Sequence, residues 1–157
     1  MEEMFTVALI GHRDLSSAPV LSPRIEEIVA KVIRELEMVE FYIGRNGEFD
    51  LLAASCIKRV QKRLGRENSA LVLVQPYPSR NEEYYQAYYD DILIPVSSKT
   101  HFKAAITKRN EWILEQSDLL IAFVQKTEGG AYAMMKRAQQ KGIPVINLAE
   151  ATNEDED

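Results

Sequence analysis

Phe5-Thr-Val-Ala-Leu-Ile10 is a continuous apolar run, and Gly11-His12-Arg13 closes it. Six apolar or β-branched residues with no polar alternation read as a strand covered on both faces. Outward from it, strand-like runs and helical stretches alternate. A helix is expected from about Arg24 to Glu40, with Ile25, Ile28, Val29, Val32, Ile33, Leu36 and Val39 on one stripe. Ser22-Pro23 suits its start, with Ser as N-cap. Phe41-Tyr-Ile43 reads as a short strand ending at Gly44, and Asp50 to Leu64 as a helix ending at Gly65. Ala70–Val74, Asp118–Val124 and Gly142–Leu148 read as further strands. Phe102–Gln116 and Ala131–Gln140 read as helices, the first with Phe102, Ala105, Ile106, Trp112 and Ile113 inward. The alternation predicts a single α/β, Rossmann-like, doubly wound domain with a mostly parallel sheet flanked by helices, over residues 1–149.

Composition agrees with this class. The chain has 157 residues, 46% hydrophobic and 27% charged, enough for one core without disulfide or metal staples. Its one cysteine, Cys56, excludes a disulfide framework and a cysteine-rich zinc site, and reads as buried and inert. A reducing, cytoplasmic location is expected. No apolar run is long enough to span a membrane, and Met1-Glu2-Glu3-Met4 lacks the basic region of a secretory signal. The net charge is −5, and Glu150, Glu154, Asp155, Glu156 and Asp157 account for it. Residues 150–157 therefore read as an acidic, disordered tail on a neutral body. A neutral body argues against broad nucleic-acid binding without excluding it. Lys58, Arg59, Lys62, Arg63 and Arg66 are the exception, a basic helix face that is either solvated or a DNA contact.

In an open parallel sheet, ligands bind beyond the carboxyl ends of the strands. Five of the seven glycines fall there: Gly11, Gly44, Gly47, Gly129 and Gly130. Glycine lets a ligand approach the backbone, and free N–H groups at a helix start favour phosphate. A phosphate-bearing ligand is therefore expected, although tight turns require glycine for their own sake. The dinucleotide fingerprint G-x-G-x-x-G and the P-loop are both absent. Around the glycines stand Asp50, a candidate base or ribose acceptor that also suits an N-cap, and Arg109, a candidate phosphate fork. Asn46 and Asn110 are candidate ligand contacts, and Arg13 is a candidate phosphate contact; His12 is a candidate ligand contact that could titrate near neutrality, or a histidine that simply hydrogen-bonds the loop. Glu48 and Glu128 are spare carboxylates. Tyr77, Tyr84, Tyr85, Tyr88 and Tyr89 hold five of the seven tyrosines. Tyr77, Tyr84 and Tyr88 are a candidate lid, or the segment packs a sheet edge or a subunit interface.

Four stretches together resemble the SLOG superfamily, named for the Smf/DprA DNA-processing proteins and the LOG cytokinin-activating enzymes. They are Ala8-Leu-Ile-Gly11-His12-Arg13, Phe41-Tyr-Ile-Gly44-Arg-Asn-Gly47-Glu-Phe-Asp50-Leu-Leu-Ala53, Lys108-Arg109-Asn110-Glu-Trp112-Ile-Leu-Glu-Gln-Ser117-Asp118 and Phe123 to Leu148. The third stretch is similar to the YpsA-like branch. The resemblance implies a Rossmann-like fold with a pocket for nucleotides or nucleotide-derived ligands; no required cofactor and no metal are expected. It implies a sensor or binding module, with an N-glycosidase, a deoxyribosyltransferase-like enzyme or DprA-like single-strand DNA binding as alternatives. A homo-oligomer is a further expectation. LOG enzymes carry P-G-G-x-G-T-x-x-E with a catalytic glutamate. Here Gly129-Gly130 keeps the glycines and Lys136 stands at the glutamate position. A lysine cannot stabilise an oxocarbenium-like centre, so LOG-type hydrolysis is not implied.

Overall fold

The structure is a computed structural model that describes residues 3–150. The expectation for the acidic tail therefore lies, Glu150 apart, outside the described residues. The elements are β1 (Met4–Gly11), α1 (Ser22–Glu35), β2 (Met38–Ile43), α2 (Glu48–Leu64), β3 (Ser69–Val74), α3 (Glu82–Tyr88), β4 (Asp91–Leu93), α4 (Phe102–Gln116), β5 (Leu119–Phe123), α5 (Gly130–Gln140) and β6 (Val145–Asn147). The six strands form one sheet in the order β4-β3-β2-β1-β5-β6, and every neighbouring pair is parallel.

Two cores explain the unbroken apolar strands. On β1, Val7 and Leu9 face α1 and α2, packing with Ile25, Val29, Phe49, Ala53 and Ile57. Ala8, between them, faces α4 and α5, packing with Ile113, Leu114, Met134 and Met135. On β5 the same division puts Ile121 and Phe123 on the first side and Leu120 and Ala122 on the second. A strand buried on both faces has no position for a polar residue.

The central pairing, β1 with β5, is extended beyond the ladder by Asp118. Its backbone N–H donates to the Thr6 carbonyl at 2.8 Å, and its Oδ2 accepts the Thr6 N–H at 2.9 Å. Ser117 closes α4 by donating from Oγ to the Ile113 carbonyl at 2.6 Å. The Ser117-Asp118 pair thus ends a helix and starts a strand.

Several boundaries differ from expectation. Leu36 is already extended, so α1 stops at Glu35. Val39 belongs to β2, where it pairs with Phe5 and Ser69. The first helical residue is Ser22 rather than Arg24. Leu21 occupies the cap position, and no side chain caps the helix. Asp50 is not an N-cap either: Gly47 is, and Asp50 sits inside the first turn of α2. On α4, Ala105, Arg109, Ile113 and Leu114 are the buried residues, while Phe102 is 60% exposed. The connection after β3 contains α3 and the short β4, which extends the sheet past β3.

Candidate functional site

β1 has β2 on one side and β5 on the other. Chain order reverses there, so the crevice beyond the ends of β1 and β5 is where this architecture opens a binding site. A cavity of about 600 Å³ lies at that point. Its lining includes Gly11, His12, Arg13, Gly44, Asn46, Gly47, Asp50, Arg109, Asn110, Gly129 and Gly130 from the sequence reading, but not Glu48, one of the two spare carboxylates. Asp14, Lys126, Glu128, Ile106 and Met134 join them. Lys126 carried no sequence signal beyond its place after a strand.

Arg109 is a buried charge of the site, 3% exposed. It lies on the inward stripe of α4, one turn from Ala105 and one from Ile113. Its Nη1 donates to the Val74 carbonyl at 2.9 Å, and its Nε donates to Asn110 Oδ1 at 2.9 Å. Among the described residues, Nη2 has no protein acceptor. Burial pulls the guanidinium below its usual pKa, and Asp50 and Tyr77 oppose that.

Asp50 is buried across Gly44 from Arg109. A methyl group on Gly44 would lie 3.0 Å from Arg109 Nη1, and 3.3 Å from both Asp50 Oδ2 and Asn46 Nδ2. A side chain at residue 44 would crowd all three groups where they converge. Oδ2 of Asp50 accepts the Asn46 backbone N–H at 2.9 Å, turning the loop back onto the helix. Burial raises the pKa of Asp50; the Asn46 N–H, Arg109 and Arg13 oppose it without cancelling it. Gly11 and Gly47 are also packed tightly, against the Phe49 ring and the Arg13 backbone respectively.

The two helix starts at the cavity differ. At α2, Glu48 N–H donates to the Arg13 carbonyl at 2.9 Å, and Asp50 supplies a negative charge within the first turn. At α5 no side chain caps the helix and no acidic residue occupies the first turn. The first backbone bond there is Ala133 N–H to the Gly129 carbonyl, at 3.0 Å. The N–H groups of Gly130, Ala131 and Tyr132 have no protein acceptor among the described residues. Gly129 needs glycine for its φ of +94°. Gly130 does not: its φ is not positive, and a methyl group there would meet nothing within 4 Å.

His12 bridges the two sides. Its Nε2 accepts N–H bonds from Gln125 at 2.9 Å and Lys126 at 3.3 Å. Its ring stands edge-on to Phe123, with centroids 5.8 Å apart.

The tyrosine segment reaches the site only through Tyr77, which acts on the Arg109 guanidinium. Tyr77, Tyr84 and Tyr88, the candidate lid, are not among the cavity-lining residues. Tyr85, Tyr88 and Tyr89 pack against the α1/α2 core. Arg45 stacks over Tyr84 and Tyr85 and donates to the Tyr89 hydroxyl at 3.0 Å. Four of the five basic residues expected to form a face on α2 are engaged within the protein, with Arg66 lying past the end of α2. Arg59 and Arg63 pair with Glu26, Arg66 pairs with Asp90, and Lys58 donates to the Tyr88 carbonyl. Lys136 is exposed and outside the cavity lining. Cys56, Met134 and Met135 are buried in the cores. Among the described residues no group of three His, Cys, Asp or Glu side chains is placed to hold a metal ion, and no helix is long and apolar enough to cross a membrane.

Neither the family models nor the curated proteins contain a match to the chain. Solved structures do match. DNA processing protein A (DprA) of Streptococcus pneumoniae superposes with a TM-score of 0.69 at 18% identity, covering 97% of this chain. The same protein from Helicobacter pylori, described by its single-stranded DNA binding mode, gives 0.64 at 17% identity over 95% of this chain. The chain shares the fold of these two proteins. The chain spans 53% and 67% of those two proteins, so it corresponds to part of each. The molybdenum cofactor carrier protein of Chlamydomonas reinhardtii shares the fold over 98% of this chain and 82% of its own length, with a TM-score of 0.60 at 14% identity. The SLOG resemblance of the four sequence stretches thus agrees with the three-dimensional match.

Proposed function

We propose that the chain binds a nucleotide or nucleotide-derived ligand in this cavity, as a sensor or binding module of a reducing, cytoplasmic compartment. The observation that carries the reading is the start of α5. It offers N–H donors with no protein acceptor, beside a Gly130 whose missing side chain the fold itself does not require. A phosphate fits that cradle, because the donors and the helix dipole both favour an anion. Asp50, Arg109 and Asn46 then meet the sugar or base. Asp50 accepts from hydroxyl or N–H groups, and the open Nη2 of Arg109 donates. The α2 start is less suited to phosphate, because Asp50 already places a negative charge there.

The test is a thermal-shift screen of nucleoside mono-, di- and triphosphates, NAD, ADP-ribose and cyclic nucleotides. A ligand at 100 times its Kd stabilises by about 2.7 kcal/mol, and a domain of this size gains about 2–4 °C per kcal/mol. A shift that Arg109→Ala abolishes supports the reading; no shift with any compound rejects it.

A second reading rests on Asp50. A buried carboxylate whose pKa is raised suits proton transfer, as an N-glycosidase or deoxyribosyltransferase-like enzyme requires. Base release from nucleosides, followed by chromatography and lost in Asp50→Asn, would establish it. DprA-like binding of single-stranded DNA is less well supported, because Glu26 and Asp90 already engage much of the basic face. A flat salt profile in filter binding would end it.

A further inference from the structure

We infer that His12 is a positioning residue: its neutral imidazole holds the start of the β5–α5 loop against the end of β1, and protonation releases that loop. This goes beyond a phosphate contact and rests, for its effect on binding, on the proposed ligand site.

The geometry fixes the proton. Nε2 accepts from both Gln125 and Lys126, so it carries no hydrogen and the neutral ring is protonated at Nδ1. Protonation would turn Nε2 into a donor facing two donors. Both bonds are then lost, and a cation stands beside the Lys126 ammonium. The bonds cross the switch point, joining residues 113 and 114 positions apart in sequence. The loop they hold runs directly into Gly129-Gly130 and the open N–H groups of α5. Other charges on the cavity wall are Arg13 and Asp14 beside His12, Glu128 on the loop, Asp50 on α2 and Arg109 on α4. Burial first, and Lys126 second, hold the His12 pKa below its ordinary 6.5.

The two possible roles of His12 predict opposite signs. A positioning imidazole binds ligand when neutral, so affinity falls as pH drops through its pKa, and bound ligand lowers that pKa further. An imidazolium that touches phosphate gives the reverse: affinity rises on acidification, and bound ligand raises the pKa.

The experiment is an NMR titration of the ligand-free protein, following the His12 ring and the Gln125 and Lys126 amides. The inference expects a His12 midpoint below 6.5. Both amides should shift with that midpoint, and their exchange protection should fall about tenfold through it, the scale of one net hydrogen bond. His12→Ala should lose the protection at all pH values. His12→Gln, which keeps an acceptor but cannot titrate, should restore part of it and abolish the pH step. Amides that ignore the titration, or a midpoint above 6.5, overturn the inference. A second arm repeats the titration with ADP-ribose, whose diphosphate bridge keeps a fixed charge across this range. A raised midpoint in that arm also overturns the inference. No response to ADP-ribose counts against the ligand proposal, while the ligand-free arm still decides the role of His12.

Discussion

Gly129 and Gly130 are adjacent, yet they lack a side chain for different reasons. Gly129 sits at positive φ, where an L-residue costs about 1–2 kcal/mol. Gly129→Ala should lower the unfolding free energy by that amount in a urea melt. Gly130 has ordinary φ and open space around its absent Cβ. Gly130→Ala should stabilise α5 by up to about 1 kcal/mol, while its methyl group enters the cavity and weakens ligand binding at least tenfold. Loss of binding without loss of stability separates a ligand cradle from a structural turn, and calorimetry beside the melt reads both. Asp50 makes a similar test. Its folded-state pKa is raised by burial, so the folded state holds the proton more tightly than the unfolded state. Asp50→Asn should therefore be no less stable than the parent at neutral pH. Any advantage should shrink as pH falls through the raised Asp50 pKa towards 3.8, because the parent carboxyl is then neutral as well.

Among the elements, α4 shows what apolar periodicity reads and what it misses. Its boundaries match the pattern, Phe102 to Gln116, but the inward stripe does not. Ala105 and Ile113 lie two turns apart, and the residue between them is Arg109. Scoring by hydrophobicity skips a charge on that line and recruits Phe102, which is exposed. An arginine on an otherwise inward stripe was the available signal for a buried functional group. The strand-end glycines were legible for a related reason: β-strand ends are marked by composition, and the architecture assigns those ends to the site. The Ser117-Asp118 pair carries a prediction at this scale. Asp118→Ala leaves the Thr6 N–H without its partner at the edge of the β1–β5 pairing and should cost about 1–3 kcal/mol. Asp118→Asn, which keeps an acceptor oxygen, should recover most of it. Equal losses in the two variants would show that charge rather than hydrogen bonding matters there.

For the whole molecule, the alternation of apolar runs and helical stripes was enough to anticipate a parallel sheet with helices on both faces. Strand order was not legible. β4 contributes only Asp91–Leu93, too short for periodicity, within a segment punctuated by prolines. The extent of β2 was hidden because Val39 also continues the helical spacing of α1. The pH dependence of global stability also belongs at this scale. The lowered His12 pKa means that the unfolded chain binds more protons than the folded protein between that value and 6.5. The His12 contribution is therefore complete above 6.5 and is lost as pH falls through the lower value. Urea midpoints taken downward from neutral pH should decline through this window, and His12→Gln should remove that part of the decline.

The β1–β5 pairing sets Gly11 beside Phe123, so one wall of the cavity is translated long before the other. Contacts of such separation form slowly, because a long loop must be closed before they are rewarded. On the ribosome, β1, α1, β2 and α2 can begin to pack while no cavity yet exists. The ligand thus has no purchase on a nascent chain and finds its pocket only after β5 has slotted in beside β1. Under the proposed function, binding competence should accordingly appear in refolding experiments with the slowest phase, and a bound nucleotide would then select finished topology rather than template it.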